Sequence, residues 1–64
     1  MKQTFIPLTS KNIKVGSIIR RISSPNTTHR VTKHYDTNIW EIGDTVVFES
    51  DFKFWEIRTD TVNN

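Results

Sequence analysis

Ile39-Trp40-Glu41-Ile42-Gly43-Asp44-Thr45-Val46-Val47-Phe48-Glu49 reads as two short runs of β-branched and aromatic residues on either side of a Gly-Asp pair. Glycine takes a positive φ without a steric cost, so such a pair closes a tight hairpin between two strands. Strands are therefore predicted over Ile39 to Ile42 and Thr45 to Glu49, with Val46 in the core. Ser50 and Asp51 interrupt the pattern, which predicts a single 3₁₀ turn through Phe52 and a last strand over Phe54 to Arg58.

Toward the N-terminus the same alternation continues. Asp36, Thr37 and Asn38 make a turn, and before it His29 to Tyr35 reads as a strand. In that strand Val31, Lys33 and Tyr35 share one face, while Arg30, Thr32 and His34 point the other way. The cluster Ser23-Ser24-Pro25-Asn26-Thr27-Thr28 reverses the chain, because Pro25 presets its φ and Asn26 tolerates the left-handed region. Its partner is a strand over Val15 to Ile22. Residues 1–11 form an N-terminal segment in which Thr4 to Leu8 pairs as an edge strand, where Pro7 can turn its missing donor to solvent. Residues 59–64 read as a flexible tail. No window of a dozen residues carries apolar positions at helical spacing. The class is all-β: five or six short antiparallel strands, with one 3₁₀ turn before the last, curled into a small barrel over residues 12–58.

The segments NIKVGSIIRRI (12–22), HRVTKHY (29–35), IWEIGDTVVFE (39–49) and FWEI (54–57) resemble the strand order of a small SH3-like barrel. In that resemblance Lys14 to Ile19 opens the first core strand and Ser50 to Lys53 supplies the 3₁₀ turn before the last. The size and the lack of cysteine also resemble short accessory proteins of bacteriophages, which would place the chain in a host cytoplasm as a modulator of a host factor. The aromatic and acidic loop pattern by which signalling SH3 domains take proline-rich ligands is not matched, so such ligands are not implied.

Composition narrows the function. Sixty-four residues make one small domain, which leaves few large side chains to line a substrate pocket, and catalysis is not expected. The absence of Cys excludes disulfides, a thiol nucleophile and thiolate zinc sites. His29 and His34, five apart on one strand, fall on opposite faces and make poor joint metal ligands, so neither metal nor cofactor is expected. No stretch approaches the length of a membrane span, and the start MKQTFIPL lacks a long apolar run, so a cytoplasmic monomer with no membrane contact is expected.

Charge and aromatics supply the remaining leads. Up to Lys33 every charge is basic, a total of +7; from Asp36 onward the total is −5. The two halves either pair across neighbouring strands or segregate as a dipole. Segregation would let Arg20, Arg21, Arg30, Lys33 and His34 form a nucleic-acid-binding face. Seven aromatics exceed what one small interior needs, and Phe52, Phe54 and Trp55 cannot all point inward. Phe54, with Trp40 and Tyr35, is accordingly the candidate surface for a protein partner, the favoured class, with nucleic acid as the alternative and a structural subunit of a larger assembly as the third.

Overall fold

A computed structural model of the chain describes residues 4–62; the first three residues of the opening segment, Lys2 among them, and the last two of the expected tail lie outside the described residues. Among the described residues seven strands run in chain order: β1 (Phe5–Pro7), β2 (Ile18–Arg21), β3 (Thr28–Arg30), β4 (Lys33–Asp36), β5 (Ile39–Ile42), β6 (Thr45–Phe48) and β7 (Trp55–Arg58). A 3₁₀ turn over Glu49–Phe54 precedes β7 and a second, Thr59–Thr61, follows it. All paired strands are antiparallel, in two sheets of order β1-β7-β2-β3 and β4-β5-β6. The all-β class is as the sequence predicts, but the two sheets do not close into a barrel.

The strand count rises because the segment expected as one strand, His29 to Tyr35, serves both sheets. Val31 donates its N–H to the Ser17 carbonyl at 2.8 Å and accepts from Gly16 at 2.7 Å, whereas the next residue, Thr32, donates to the Glu41 carbonyl at 2.8 Å. The hydrogen-bonding partner thus changes between consecutive residues, and the alternation slips there. Val31 is fully buried, while Lys33 and Tyr35, expected on its face, are exposed. A bulge between His34 and Asp36 bends β4 further.

The β5–β6 hairpin pairs Ile42 with Thr45 and Trp40 with Val47 around Gly43, whose φ of 75° is the positive first position of a glycine-first two-residue turn. Because Trp40 and Ile42 face inward, register carries Val47 inward with them. Val46, expected in the core, lies on the outer face at 39% exposure, and Val47 takes its place.

The core holds Leu8, Ile13, Ile19, Val31, Trp40, Ile42, Val47, Phe52, Trp55 and Ile57. Of the described polar residues, Ser17 is buried among them: it accepts from the Lys14 N–H at 3.0 Å and donates through Oγ to the Thr61 carbonyl at 2.8 Å. Thr61 Oγ1 in turn accepts from Ile18 N–H at 3.0 Å and donates to the Arg58 carbonyl at 2.8 Å. Residues 59–62, expected as part of a loose tail, are therefore held by the polar groups of Ser17 and Thr61, and Val62 packs against the core. At the other end β1 is an edge strand carrying Pro7, and Asn12 closes the following turn by accepting from Thr9 N–H at 2.9 Å and donating to the Pro7 carbonyl at 3.1 Å.

Candidate functional site

The residue pairing sorts the expected site residues onto different surfaces. Across β4, β5 and β6, Lys33, Glu41 and Val46 stand in one row and Asp36, Ile39 and Phe48 in the next. These rows are the outer face of the three-stranded sheet. Tyr35, Val46 and Phe48 are exposed there at 53%, 39% and 45%, with Ile39 half-buried between them. Beside Phe48 the surface dips into a shallow depression lined by Asn38, Glu49 and Ser50.

A polar network holds Tyr35 in place on this face. Its hydroxyl donates to Glu41 Oε2 at 2.6 Å, Thr32 Oγ1 donates to Glu41 Oε1 at 3.1 Å, and the Lys33 ammonium lies 4.6 Å from the Tyr35 ring centroid. The hydrogen bond from Tyr35, then that from Thr32, lowers the Glu41 carboxyl from its ordinary value; desolvation opposes them and the Lys33 charge adds the least. The same hydrogen bond, followed by the Glu41 charge, raises the Tyr35 phenol above its ordinary value. For Glu41, whose pKa is lowered on folding, the stabilisation is present above the ordinary carboxylate range and is lost as pH falls through the lowered value. For Tyr35, whose pKa is raised, it is present below the ordinary phenol value and is lost as pH rises through the raised one. The chain has a single tyrosine, so phenolate absorbance during an alkaline titration reads Tyr35 alone. Its midpoint is expected above that of free tyrosine, and Glu41→Gln is expected to bring it down; the same midpoint in both proteins would refute the contact.

Trp40 is not on this face. It is 7% exposed, points into the core, and is covered by His34, whose ring stacks on it at 3.5 Å between centroids with planes 2° apart. This corrects its expected role as a partner contact: strand alternation puts Glu41 outward and Trp40 inward. Phe54 is exposed at 54%, as the crowding of Phe52, Phe54 and Trp55 predicts, while Phe52 and Trp55 are buried. Phe54 does not join Tyr35, however. The Ile22 N–H donates to the Phe54 carbonyl at 2.9 Å, continuing the β2–β7 pairing, so Phe54 and the exposed Ile22 sit together at the end of the four-stranded sheet.

The basic residues are divided too, with Arg20 and Arg30 on the outer face of the four-stranded sheet and Arg21, Lys33 and His34 elsewhere. Arg20 lies on the outer face of the four-stranded sheet, paired with Glu56 at 3.0 Å and laid over the Phe5 ring at 3.8 Å. Arg21, next in the strand, turns to the opposite side, its guanidinium 5.2 Å from the Trp55 ring centroid. Arg30 stands opposite Ile18, Lys33 opposite Glu41, and His34 covers Trp40. The face expected to join Arg21, Arg30 and His34 is therefore not assembled. The charge halves meet as cross-strand neighbours because β7 returns beside β2 and β5 beside β4. His29 also attends a core indole, edge-on to Trp55 at 5.8 Å.

Sequence reasoning missed Val46 and Phe48 as surface residues. The signal was present in the two-residue turn, whose register ties the inward residues of one strand to those of the other. Among the described residues no group of three or more His, Asp or Glu side chains could hold a metal, and no helix is long and apolar enough to cross a membrane. No protein-family model, curated protein or solved structure matches the chain.

Proposed function

We propose that this chain is a non-catalytic binding module that engages a protein partner through the outer face of β4, β5 and β6. The observation that carries the reading is the exposure of Tyr35, Val46 and Phe48 together on one sheet face of a domain with few large side chains to spare. Exposed aromatic and apolar side chains grouped beside charged ones are the composition of an interface centre and its rim. The path of the chain supports the SH3-like reading: β2 leads through β3 and β4 to β5 and β6, and a 3₁₀ turn returns the chain as β7 beside β2. With the likeness to phage accessory proteins, the module acts as a monomer in the cytoplasm on a host factor.

The test compares immobilised wild type, Phe48→Glu and Phe54→Glu as bait for host proteins identified by mass spectrometry. A partner held by wild type and by Phe54→Glu but lost from Phe48→Glu is the expected result. A partner lost only from Phe54→Glu would move the site to the four-stranded sheet. Labelled DNA and RNA titrated at about 50 and 200 mM salt give the opposing outcome. Saturable binding that falls steeply with salt and disappears in the Arg21→Glu, Arg30→Glu double variant would replace the protein partner with nucleic acid.

A further inference from the structure

Resting on the reading of the β4-β5-β6 face as the partner site, we infer that the free edge of β6 takes an extended basic segment of the partner as an added antiparallel strand. The pair flanking a two-residue turn exchanges hydrogen bonds, so Ile42 with Thr45 and Trp40 with Val47 are the bonded pairs of this hairpin. The Glu49 N–H donating to the Asn38 carbonyl at 2.9 Å continues that series. The N–H and C=O groups of Val46 and Phe48 therefore point away from β5, and no strand pairs there among the described residues.

The other sheet edges carry the devices by which proteins discourage strand addition. Pro7 ends β1, β4 has Lys33 and a bulge, and β3 is three residues long with Arg30 at its end. β6, Thr45-Val46-Val47-Phe48, has no proline, no charge and no bulge in its register with β5. Its exposed Val46 and Phe48 side chains stand on the face already assigned to the partner.

Charge selects the occupant. Asp44 precedes β6 and Glu49 follows it, and residues 33–49 hold four carboxylates against Lys33, which lies on the far strand. A second copy laid on this edge would bring the same carboxylates together, whereas a strand with apolar residues over Val46 and Phe48 and Lys or Arg beyond them meets opposite charge at both ends.

The probe is a capped synthetic peptide, Lys-Ser-Ile-Ser-Val-Ser-Lys, with Glu in place of both Lys as its control, added to the labelled protein and followed by amide chemical shifts. The basic peptide is expected to perturb β6 and the acidic one to leave it unchanged. Val46→Pro removes an N–H that the hairpin does not use, so it should keep the fold and weaken the peptide roughly tenfold or more. Val46→Lys is the second variant should proline disturb the strand, with the same weakening expected; Phe54→Glu should bind as wild type. No shift with the basic peptide, equal shifts with the acidic one, or shifts away from β6 overturn strand addition. So does dimerisation in sedimentation that Val46→Pro abolishes, which would make a second copy the occupant. A partner lost from Phe48→Glu but retained by Val46→Pro and Val46→Lys overturns strand addition and leaves the face in place; a partner indifferent to Phe48→Glu removes the face itself.

Discussion

Trp55→Ala is expected to unfold the domain. Trp55 is 5% exposed and sits where three segments meet: it pairs with Arg21 of β2, accepts from Leu8 N–H at 3.1 Å beyond β1, and begins the strand that follows the 3₁₀ turn. The indole is flanked by the His29 ring and the Arg21 guanidinium, so truncation strips contacts from all of these at once. A buried Trp→Ala change costs roughly 3–5 kcal/mol. At about 0.05–0.15 kcal/mol per residue, the whole of so short a chain's stability is of the same size. Far-UV circular dichroism during urea denaturation should show a cooperative transition for wild type and none for the variant at room temperature. A cooperative transition with nearly the wild-type midpoint would mean that Trp55 does not hold the core. Val46→Ala is the internal contrast: on the outer face it should cost under about 1 kcal/mol, where the buried Val47 should cost clearly more.

That contrast marks where local pattern stops being informative. The strands around Gly43-Asp44 and the 3₁₀ turn before β7 are legible because the residues that make them are neighbours in sequence. Thr45-Val46-Val47-Phe48 alternates equally well either way, and the choice depends on the register that Gly43 imposes and on Trp40 pointing inward. The division of residues 29–35 between two sheets was not legible, because it follows from Ser17 and Glu41 offering carbonyls to consecutive N–H groups from distant parts of the chain. The charge halves left pairing and segregation both open for the same reason. Arg20 and Glu56 lie 36 positions apart, and only the return of β7 beside β2 brings them to 3.0 Å. Of the candidate site, Tyr35 and Phe54 were legible as surplus aromatics, while the face that groups Tyr35 with Val46 and Phe48 required the sheet.

Trp40→Ala is expected to destabilise the fold as severely as Trp55→Ala, roughly 3–5 kcal/mol, and to lose any partner only through unfolding. Trp40 pairs with Val47 in the middle of the β5–β6 hairpin, with one face of its indole covered by the stacked His34 ring. Its Nε1 is buried without a hydrogen-bond partner among the described residues, a desolvated donor of the kind that costs about 1–3 kcal/mol. Trp40→Phe removes that donor while keeping an aromatic ring under His34, so the lost volume and the relieved donor oppose each other. Its stability should stay within about 1 kcal/mol of wild type, far from the alanine variant. His34→Ala uncovers the indole without emptying the core, and should shift tryptophan emission to the red at a cost of about 0.5–1.5 kcal/mol, that of an aromatic pair. Thermal melts of the three variants separate core from contact surface. If Trp40→Ala melted like wild type while losing a partner that Trp40→Phe retained, the indole would be a recognition element after all, and the partner surface would have to include the His34 side of the sheet. With both tryptophans committed to the interior, the large side chains open to the proposed partner are those the sheet turns outward, and on β4, β5 and β6 these are Tyr35, Val46 and Phe48.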